Sequence, residues 1–327
     1  MATENILKID NLNVEFVTER GTLKALRNVD LAIPNGAIVG VVGESGCGKS
    51  TLINSIIGLL ADNAQITSGA MIFEGSDLLS KSEQELRAIR GQRISMVSQD
   101  PMTALNPILS IGTQMIDIQY RNASSRDEKR ARSIKMLSRV GIPDPETRFN
   151  DYPHQFSGGM RQRIAIAMAL QVEPTLLIAD EPTTALDATL EVQIIRRLNE
   201  LQQNMGCSIL FVSHHLGVIA ELCDYVVVMY GGEVVEQGSV RDIFHRASHP
   251  YTQKLLECDP ASIAETTHSL PTIPGEVPNL DELPSGCIFF DRCDHRFDSC
   301  QRSHPRIEQI EAGHWIRCPV LAQQKTS

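Results

Sequence analysis

No stretch of this sequence approaches the roughly 20 uncharged apolar residues that a helix needs to cross a bilayer. The first residues, MATENILKIDNL, also lack the basic and apolar regions of a secretory signal peptide. An excess of basic residues is missing as well, because the formal net charge is −10. This balance argues against a nucleic-acid-binding surface, which requires a basic face. We therefore expect a cytosolic protein without a membrane span.

Length and composition set the remaining bounds. At 327 residues the chain is longer than one average domain, and its length predicts about two. Its hydrophobic content of 42% is sufficient for a core. The eight cysteines are not expected to form disulfides in a cytosolic protein, so a cluster among them would indicate a metal site.

A glycine-rich motif, IVGVVGESGCGKST, occupies residues 38–51 and begins with a run of buried-strand character. Its glycines allow successive backbone N–H groups to converge on an anion, and the following helix directs its positive end there. Lys49 can reach terminal phosphates, and the Ser50 hydroxyl suits Mg²⁺. A chance glycine loop does not account for a complete GxxxxGK[ST] match between a strand and a helix. The motif predicts a nucleotide-phosphate site at Gly43, Glu44, Ser45, Gly46, Cys47, Gly48, Lys49, Ser50 and Thr51.

Residues 6–36 alternate apolar and polar side chains in the manner of half-buried antiparallel strands. They predict a small sheet ahead of the phosphate loop. The ring of Phe16, which ends the first alternating run, either belongs to the core or is exposed for an adenine base to stack on it. The pattern alone favours the core. Residues 108–150 are predicted to be mostly helical, with charged runs such as SSRDEKRARSIKML on a solvated face.

Two further motifs follow along the chain. Ser157, Gly158 and Gly159 precede a long helical run, which makes a second helix N-terminus with exposed N–H groups and a hydroxyl. Alone, this pattern is only a helix N-cap. The run TLLIADEPTTALD then predicts a buried strand that ends at Asp180 and Glu181. Acidic pairs at strand ends are often simple caps, but after a phosphate loop one carboxylate can hold Mg²⁺ and the next can orient or deprotonate the attacking water.

The order of these motifs resembles that of the nucleotide-binding subunit of ATP-binding-cassette (ABC) transporters over residues 5 to about 250. GESGCGKS resembles Walker A, FSGGMRQR the family signature and LLIADE Walker B. Gln99 matches the Q-loop glutamine, ALD at 185–187 the D-loop and His214 the switch histidine. The resemblance implies an α/β fold: a P-loop NTPase (RecA-like) core with an antiparallel β subdomain, a helical signature subdomain near residues 100–165, and a small irregular C-terminal extension.

The resemblance also implies ATP and Mg²⁺ as ligands, with a role for each matched residue. Ser50, Gln99 and Asp180 would hold Mg²⁺. Glu181 would activate the attacking water, while Gln99 and His214 would sense the γ-phosphate and complete the catalytic set. Beyond the phosphate loop, nucleotide contacts are implied for Phe16, Ser157, Gly158, Gly159 and Asp187. In this family the signature contacts the nucleotide of a second cassette across a dimer interface.

Several positions depart from the family pattern. Phe156 and Met160 stand where the signature commonly has Leu and Gln, and His215 stands where Asp usually follows the switch histidine. The signature's Ser and Gly donors are retained, so we expect activity to survive. Cys47 replaces the more usual Ser of the loop. A thiol beside a helix N-terminus is expected to have a lowered pKa and to be sensitive to oxidants.

The C-terminal part narrows the resemblance to a subfamily. HPYTQKLL at 249–256 and IPGEVPNL at 273–280 resemble the C-terminal extension of dipeptide and oligopeptide importer ATPases. We expect an ABC domain at residues 1–250 and an extension at 251–327. The chain would hydrolyse ATP to power uptake of a solute. A dipeptide, an oligopeptide, an oligosaccharide and nickel all remain open as that solute.

The family implies partners and a location. A second, related ATPase subunit would pair with this chain, a heterodimer being favoured over a homodimer. Two transmembrane permease subunits and an extracytoplasmic solute-binding protein would complete the transporter. The chain would lie peripherally at the cytoplasmic face of the cell (inner) membrane, without nucleic acid. A membrane subunit is expected to dock on the segment from Gln99 to residue 150, near Met102 and Asn106.

A different class of function is a non-transport ATPase of the same superfamily that acts in translation or on DNA. Translation factors of this kind usually carry two cassettes, whereas this chain has one phosphate loop and one signature. Chromosome and repair members insert a long heptad coil, whereas only about 110 residues separate Gly43 from Ser157. A small-molecule P-loop kinase would explain the loop but not the signature, ALD or His214. Transport is therefore favoured.

Four cysteines, Cys287, Cys293, Cys300 and Cys318, lie within 32 residues of a segment with little apolar periodicity. Thiolate ligation would supply the constraint that an apolar core does not. Their gaps differ from the C-x-x-C pairs common in structural zinc sites, and spacing alone leaves iron–sulfur, zinc and free thiols open. Pro284 to Cys293 matches a PxGCxFxxRC pattern of the dipeptide-importer extension. This resemblance implies a [4Fe-4S] cluster, with Zn²⁺ as the alternative, in a structural or regulatory role.

Overall fold

The computed structural model describes residues 4–19, 21–100, 104–183, 188–259 and 271–319. The chain forms two compact units, one of residues 1–80 and 213–327 and the other of residues 81–212. We call them the first and the second unit. The domain boundary near residue 250 remains a prediction. None of the helices in the described ranges combines the length and the apolar character that a membrane crossing requires.

The secondary structure is mixed α/β. The strands are β1 (Asn5–Thr18), β2 (Gly21–Pro34), β3 (Ile38–Val42), β4 (Ala64–Phe73), β5 (Ser76–Asp77), β6 (Ile94–Val97), β7 (Leu176–Asp180), β8 (Ser208–Val212), β9 (Tyr225–Tyr230), β10 (Glu233–Ser239), β11 (Glu308–Glu311) and β12 (His314–Ile316). The α-helices are α1 (Lys49–Ile57), α2 (Glu83–Ile89), α3 (Ile111–Asp117), α4 (Arg126–Arg139), α5 (Pro145–Arg148), α6 (Gly158–Gln171), α7 (Ala188–Met205), α8 (Leu216–Leu222), α9 (Val240–Arg246), α10 (Pro250–Glu257) and α11 (Asp298–Arg302).

The first unit contains an antiparallel sheet in the order β2-β1-β4-β5. Leu7 pairs with Ile33 in β2 and with Phe73 in β4, so β1 is the central strand. Its apolar residues point alternately into the core, as in any half-buried strand. The antiparallel sheet predicted from the alternating pattern of residues 6–36 is confirmed.

A second sheet of the first unit carries the phosphate motif. β3 pairs in parallel with β9, with Val39 opposite Tyr225, and β9 pairs antiparallel with β10. All five residues of β3 are buried, so the strand is apolar throughout rather than alternating. The β9–β10 hairpin turns at Gly231 and Gly232, both with positive φ.

The last described residues add to the same sheet. β12 pairs with β10, with Ile316 opposite Glu236, and β11 pairs with β12. The buried Glu236 carboxylate accepts hydrogen bonds from the backbone N–H groups of Ser248 and His249 at 2.7 and 3.0 Å. It also pairs with the His314 ring at 2.8 Å. One acidic side chain therefore ties the start of α10 to the C-terminal hairpin.

The second unit combines three parallel strands with helices. β7 lies between β6 and β8, with Leu176 opposite Ile94 and Ser208. The buried strand predicted ahead of Glu181 is confirmed as β7. Three helices, α3 to α5, occupy residues 111–148, so the mostly helical character predicted there is also confirmed. α4 begins with a capping box between Ser125 and Glu128 and is largely exposed.

Candidate nucleotide-binding site

The phosphate loop follows the buried end of β3 and leads into α1. Gly43, Gly46 and Gly48 have φ values of 153°, 80° and 106°. Residues other than glycine rarely adopt this region. A Cβ atom at Gly43 would lie 2.1 Å from the Met229 carbonyl oxygen. The glycine motif is therefore required both by backbone conformation and by close packing against β9.

The outer side of the loop is open. Ser45, Gly46 and Ser50 are exposed, and a Cβ atom at Gly46 would meet no atom within 4 Å. The loop thus presents backbone groups, a hydroxyl and the N-terminus of α1 on one accessible surface. Such a surface binds phosphate anions.

Lys49 is the first residue of α1, and its side chain folds over the loop. Its ammonium group donates to the carbonyl oxygens of Gly43 at 2.7 Å and Glu44 at 3.1 Å, and it lies 3.6 Å from Cys47 Sγ. The loop therefore already holds the lysine charge at its own centre, and that charge is opposite in sign to a polyphosphate.

The prediction that Cys47 has a lowered pKa is wrong. The side chain is buried, with only 2% of the residue exposed, and the Cys47 carbonyl accepts a hydrogen bond from Gly232 at 3.0 Å. Burial raises the pKa of the Cys47 thiol above its ordinary value and outweighs the opposite effect of Lys49. The position beside a helix N-terminus does not activate this thiol, because the sulfur faces the interior.

Phe16 is half-buried rather than part of the core, so the interpretation favoured by its sequence pattern is also wrong. It lies in β1 opposite Leu23 of β2 and Ala64 of β4. The end of β1 is partly open to solvent, with the neighbouring Val17 55% exposed. Its role as a stacking surface for adenine stays a prediction.

Gln99 and Glu181 come together in the second unit. Gln99 follows β6 and Glu181 follows β7, and the two strands are adjacent and parallel. Carboxyl ends of parallel strands meet at one edge of a sheet, where α/β proteins commonly place their ligands. Gln99 Nε2 donates to Glu181 Oε2 at 3.1 Å. Asp180 is the last residue of β7, so the predicted metal ligand and the predicted base are consecutive at this edge.

Glu181 has a strained backbone. Its φ is 45°, in the left-handed region that is uncommon for a residue with a side chain. Its N–H donates to the Val212 carbonyl of β8 at 2.8 Å, which helps to hold this conformation. Strain of this kind is concentrated at functional sites.

Ser157 caps α6, and its hydroxyl accepts a hydrogen bond from the Met160 N–H at 3.4 Å. Ser157 and Gly158 are exposed, whereas Gly159 is buried. Among the residues that the structure describes, a Cβ atom at Gly158 would meet no atom within 4 Å, so their packing does not require glycine there. The 14-residue helix therefore presents its N-terminus to solvent, as the signature motif predicts.

The remaining predicted residues are placed as follows. His214 is exposed, lies in the first unit and precedes His215, the residue before α8. Asp187 and Met102 lie outside the described residues. Two residues that contact the phosphate loop were missed from the sequence. They are Tyr251 of α10 and Arg292, which lie in the HPYTQKLL run and the PxGCxFxxRC pattern respectively, but neither pattern indicated a contact with the loop.

The four C-terminal cysteines converge. Cys287, Cys293, Cys300 and Cys318 are buried and line one small cavity together with His249 and Phe289. The Cys287 N–H donates to the Cys300 carbonyl at 2.7 Å. Burial raises the pKa of the Cys287 thiol to about 12, and the neighbouring thiols add to this effect. Within the described ranges, no three His, Cys, Asp or Glu side chains stand in positions that would hold a metal ion.

Cys47 should be less reactive than Cys258. At pH 8, iodoacetamide should label the half-buried Cys258 first, because the sulfur of Cys47 is less accessible. The rate at Cys47 should still rise above pH 9.0, its ordinary pKa, since burial raises the pKa of this thiol. Peptide mapping by mass spectrometry after timed labelling measures both. Faster labelling of Cys47 in the folded protein would contradict the assignment.

Known families match both parts of the chain. The ABC transporter family matches residues 26–184, and the C-terminal region of oligopeptide/dipeptide transporters matches residues 235–300. Among solved structures, the ADP- and phosphate-bound dimer of the ATP-binding cassette MJ0796 is 30% identical, with a TM-score of 0.64 over 72% of this chain and 99% of that one. The cbiO1 protein of Clostridium perfringens is 31% identical, with a TM-score of 0.66 over 75% of this chain and 92% of that one.

Curated relatives match nearly the whole chain. The dipeptide transport ATP-binding protein DppD of Bacillus subtilis is 45% identical over 98% of this chain and 96% of its own length. The oligopeptide transport ATP-binding protein OppD of Haemophilus influenzae is 42% identical over 98% of both chains. Identity at this level and over this length exceeds what a shared cassette fold alone requires. The chain therefore belongs to the family of ATP-binding subunits of ABC transporters.

Proposed function

We propose that this chain is the ATP-hydrolysing motor of a peptide importer, peripheral to the cytoplasmic face of the cell (inner) membrane. The observation that carries the hydrolytic part is the Gln99–Glu181 hydrogen bond of 3.1 Å at the carboxyl ends of two parallel strands. Peptide as the solute is supported by the match to the oligopeptide/dipeptide transporter C-terminal region. The same match favours transport over a role in translation or on DNA, since those functions do not require this extension.

The residues divide the chemistry between binding and hydrolysis. Lys49 would neutralise the terminal phosphates, and Ser50 with Asp180 would hold Mg²⁺, which neutralises charge that develops on the phosphates. Glu181 would orient and deprotonate the attacking water, with its carboxylate directed by Gln99. Gln99 and His214 would respond to the γ-phosphate. Phe16 would stack on the adenine ring, which its half-buried position permits.

Hydrolysis would require two cassettes. Ser157 and Gly158 stand exposed at the N-terminus of α6, and the packing of the described residues does not account for the glycine. An exposed helix N-terminus with a hydroxyl suits the γ-phosphate bound to another subunit. Asp187 would contact the same interface. The related cassette MJ0796 was solved as a dimer with ADP and phosphate. A second, related ATPase subunit is the proposed partner, together with two permease subunits and a solute-binding protein.

The surface near Asn106 would receive a permease helix. Ile108, two residues on, is a large apolar residue that is 78% exposed. Both residues belong to the segment that follows Gln99, so movement of Gln99 with the γ-phosphate can reach this surface. An exposed isoleucine nine residues after Gln99 fits a docking contact.

The four converging cysteines would hold a [4Fe-4S] cluster, with Zn²⁺ as the alternative. Four buried sulfur donors around one cavity match the donor set of either group. Burial raises the pKa of the Cys287 and Cys293 thiols, whereas a bound metal would favour the thiolates. A small repacking of the side chains would be needed to bring the sulfurs into ligating positions. The role would be structural or regulatory, because the hydrolytic residues are elsewhere.

Glu181→Gln should separate binding from hydrolysis. The amide keeps the size of the side chain but cannot act as a base, so turnover should fall at least about 100-fold while ATP still binds and is trapped. Lys49→Ala should instead weaken MgATP binding at least about tenfold, because a charge opposite phosphate is lost. ATPase assays and calorimetry on the assembled transporter measure these effects.

Glu173→Gln is the matched control for Glu181→Gln. Glu173 also lies in the second unit, is exposed and has a positive φ of 52°, but it precedes β7, whereas Glu181 follows the carboxyl end of that strand. Its substitution should leave turnover unchanged. Wild-type turnover in Glu181→Gln would contradict the assigned base, and unchanged affinity in Lys49→Ala would contradict the phosphate contact.

The docking surface can be tested by photo-crosslinking. A photoreactive amino acid at Ile108 in the assembled transporter should give crosslinks to a permease subunit. The same group at Arg302, an exposed residue of α11, should give none or far fewer. Immunoblotting for the permease subunits detects both. Crosslinks from position 302 alone would place the docking surface on the C-terminal extension and overturn the assignment to this segment.

The cysteine site can be tested by its metal content. Protein purified anaerobically should be brown, with broad absorbance near about 400 nm and about four irons per chain. Cys293→Ser should lose most of the iron, whereas Cys258→Ser, which alters a cysteine outside the cavity, should retain it. Colourless protein with one zinc per chain would exclude the cluster and keep the ligands. Anaerobically purified protein that contains neither iron nor zinc would exclude the site.

A further inference from the structure

The C-terminal part of the chain contacts the phosphate loop at Glu44. The Arg292 guanidinium binds both carboxylate oxygens of Glu44, with Nη1 2.7 Å from Oε2 and Nη2 3.1 Å from Oε1. The backbone N–H of Glu44 donates to the Tyr251 hydroxyl at 2.9 Å. The carbonyl oxygen of the same residue accepts from Lys49. The N–H, the carbonyl and the side chain of Glu44 are therefore each fixed by a different residue.

Arg292 is itself held in place. Its side chain is only 4% exposed, and its remaining donors bond to the carbonyls of Ile273 and Pro274, both at 3.0 Å. Nη1 also lies 3.2 Å from the Tyr230 hydroxyl. A buried arginine with this many fixed acceptors cannot follow a moving carboxylate, so it determines where that carboxylate lies.

Aromatic rings support the same contact. The ring of Phe289 packs edge-on against those of Tyr230 and Tyr251, at centroid distances of 5.1 and 5.4 Å. Tyr230 ends β9, Tyr251 belongs to α10 and Phe289 lies between Cys287 and Arg292. The group that fixes Glu44 is thus packed as one cluster against the cysteine segment.

The charge of Glu44 explains why it must be fixed. This carboxylate belongs to the loop that receives a polyphosphate, and its side chain is 27% exposed. A free carboxylate here would repel the phosphates and would compete with them for the Lys49 ammonium. The two-oxygen contact with Arg292 neutralises the carboxylate and holds it away from that competition.

We propose that Arg292 is a positioning residue for the nucleotide-binding loop, which raises affinity for ATP by holding the Glu44 carboxylate. This inference rests on the proposed function, in that ATP is the ligand of the loop. Arg292 directly precedes Cys293. The conformation of the cysteine segment therefore affects the phosphate loop through the Arg292 side chain. The C-terminal extension is, on this account, part of the ATP-binding apparatus.

A double-mutant cycle tests the proposal with MgAMP-PNP, a non-hydrolysable analogue, and the full-length chain. Arg292→Gln should weaken binding about tenfold, because the freed Glu44 carboxylate opposes the phosphates. In a Glu44→Gln background the same substitution should change affinity less than about twofold, because no carboxylate remains to be held. Arg292→Lys, which keeps the charge but not the two-pronged contact, should lie between.

Arg302→Gln provides the matched control, since it removes the same charge from an exposed position of the same extension and should leave affinity unchanged. Melting temperature, iron and zinc are measured for every variant, so that unfolding or metal loss is not mistaken for a loop effect. If Arg292→Gln does not fold, Arg292→Lys in the two backgrounds completes the cycle.

The outcomes separate this inference from the proposed function. Failure of the wild-type chain to bind MgAMP-PNP would overturn the proposed function and this inference with it. Wild-type binding with an unchanged affinity in Arg292→Gln would overturn the inference alone. An equal loss of affinity in both backgrounds would also overturn it, because Arg292 would then act only as a support for the backbone of residues 273–274.

Discussion

The conformation of the glycine-rich phosphate loop depends on the close approach of two backbones. The Met229 carbonyl of β9 occupies the space in which a Cβ atom of Gly43 would lie, at 2.1 Å from it. Gly48 is similarly close to β2, where the Ala25 carbonyl would lie 3.0 Å from its Cβ. The Gly232 N–H donates a hydrogen bond to the Cys47 carbonyl, which is a third contact that holds the loop. The neighbouring strands fix the curvature of the loop before a ligand binds. Ligand binding therefore has a smaller entropic cost of ordering the loop.

The charges of the loop are arranged by the same packing. Lys49 rests on two loop carbonyls, and the Glu44 carboxylate points to a buried arginine instead of to the lysine. Two opposite charges within one short loop can thus coexist without neutralising one another. The arrangement requires the C-terminal segment, which is anchored by buried Glu236 and by the hairpin that extends the sheet. An extension that resembles an appendage in sequence is structurally continuous with the phosphate loop.

The residues proposed for hydrolysis in the second unit lie at the ends of parallel strands. Gln99 and Glu181 are 82 residues apart, yet the parallel pairing of β6 with β7 brings their side chains within 3.1 Å. Glu181 adopts a left-handed conformation that its bond to Val212 sustains. The strain is tolerable because β7 is buried and paired on both sides. Rigid strands therefore fix the geometry of Glu181, which we propose as the base that activates water.

The sequence determined whatever depends on residues close together in the chain. The glycine motif, the buried run of β7, the Ser157 cap and the alternating β1 each follow from local spacing, because backbone conformation and strand periodicity are local properties. Burial and distant pairing are not local, and only the tertiary structure decided them. It buried the Cys47 sulfur and so reversed the pKa shift expected at a helix N-terminus, and it left Phe16 half-exposed. It also joined Glu44 to Arg292 across 248 residues, since a charge finds its partner through packing that no short pattern encodes.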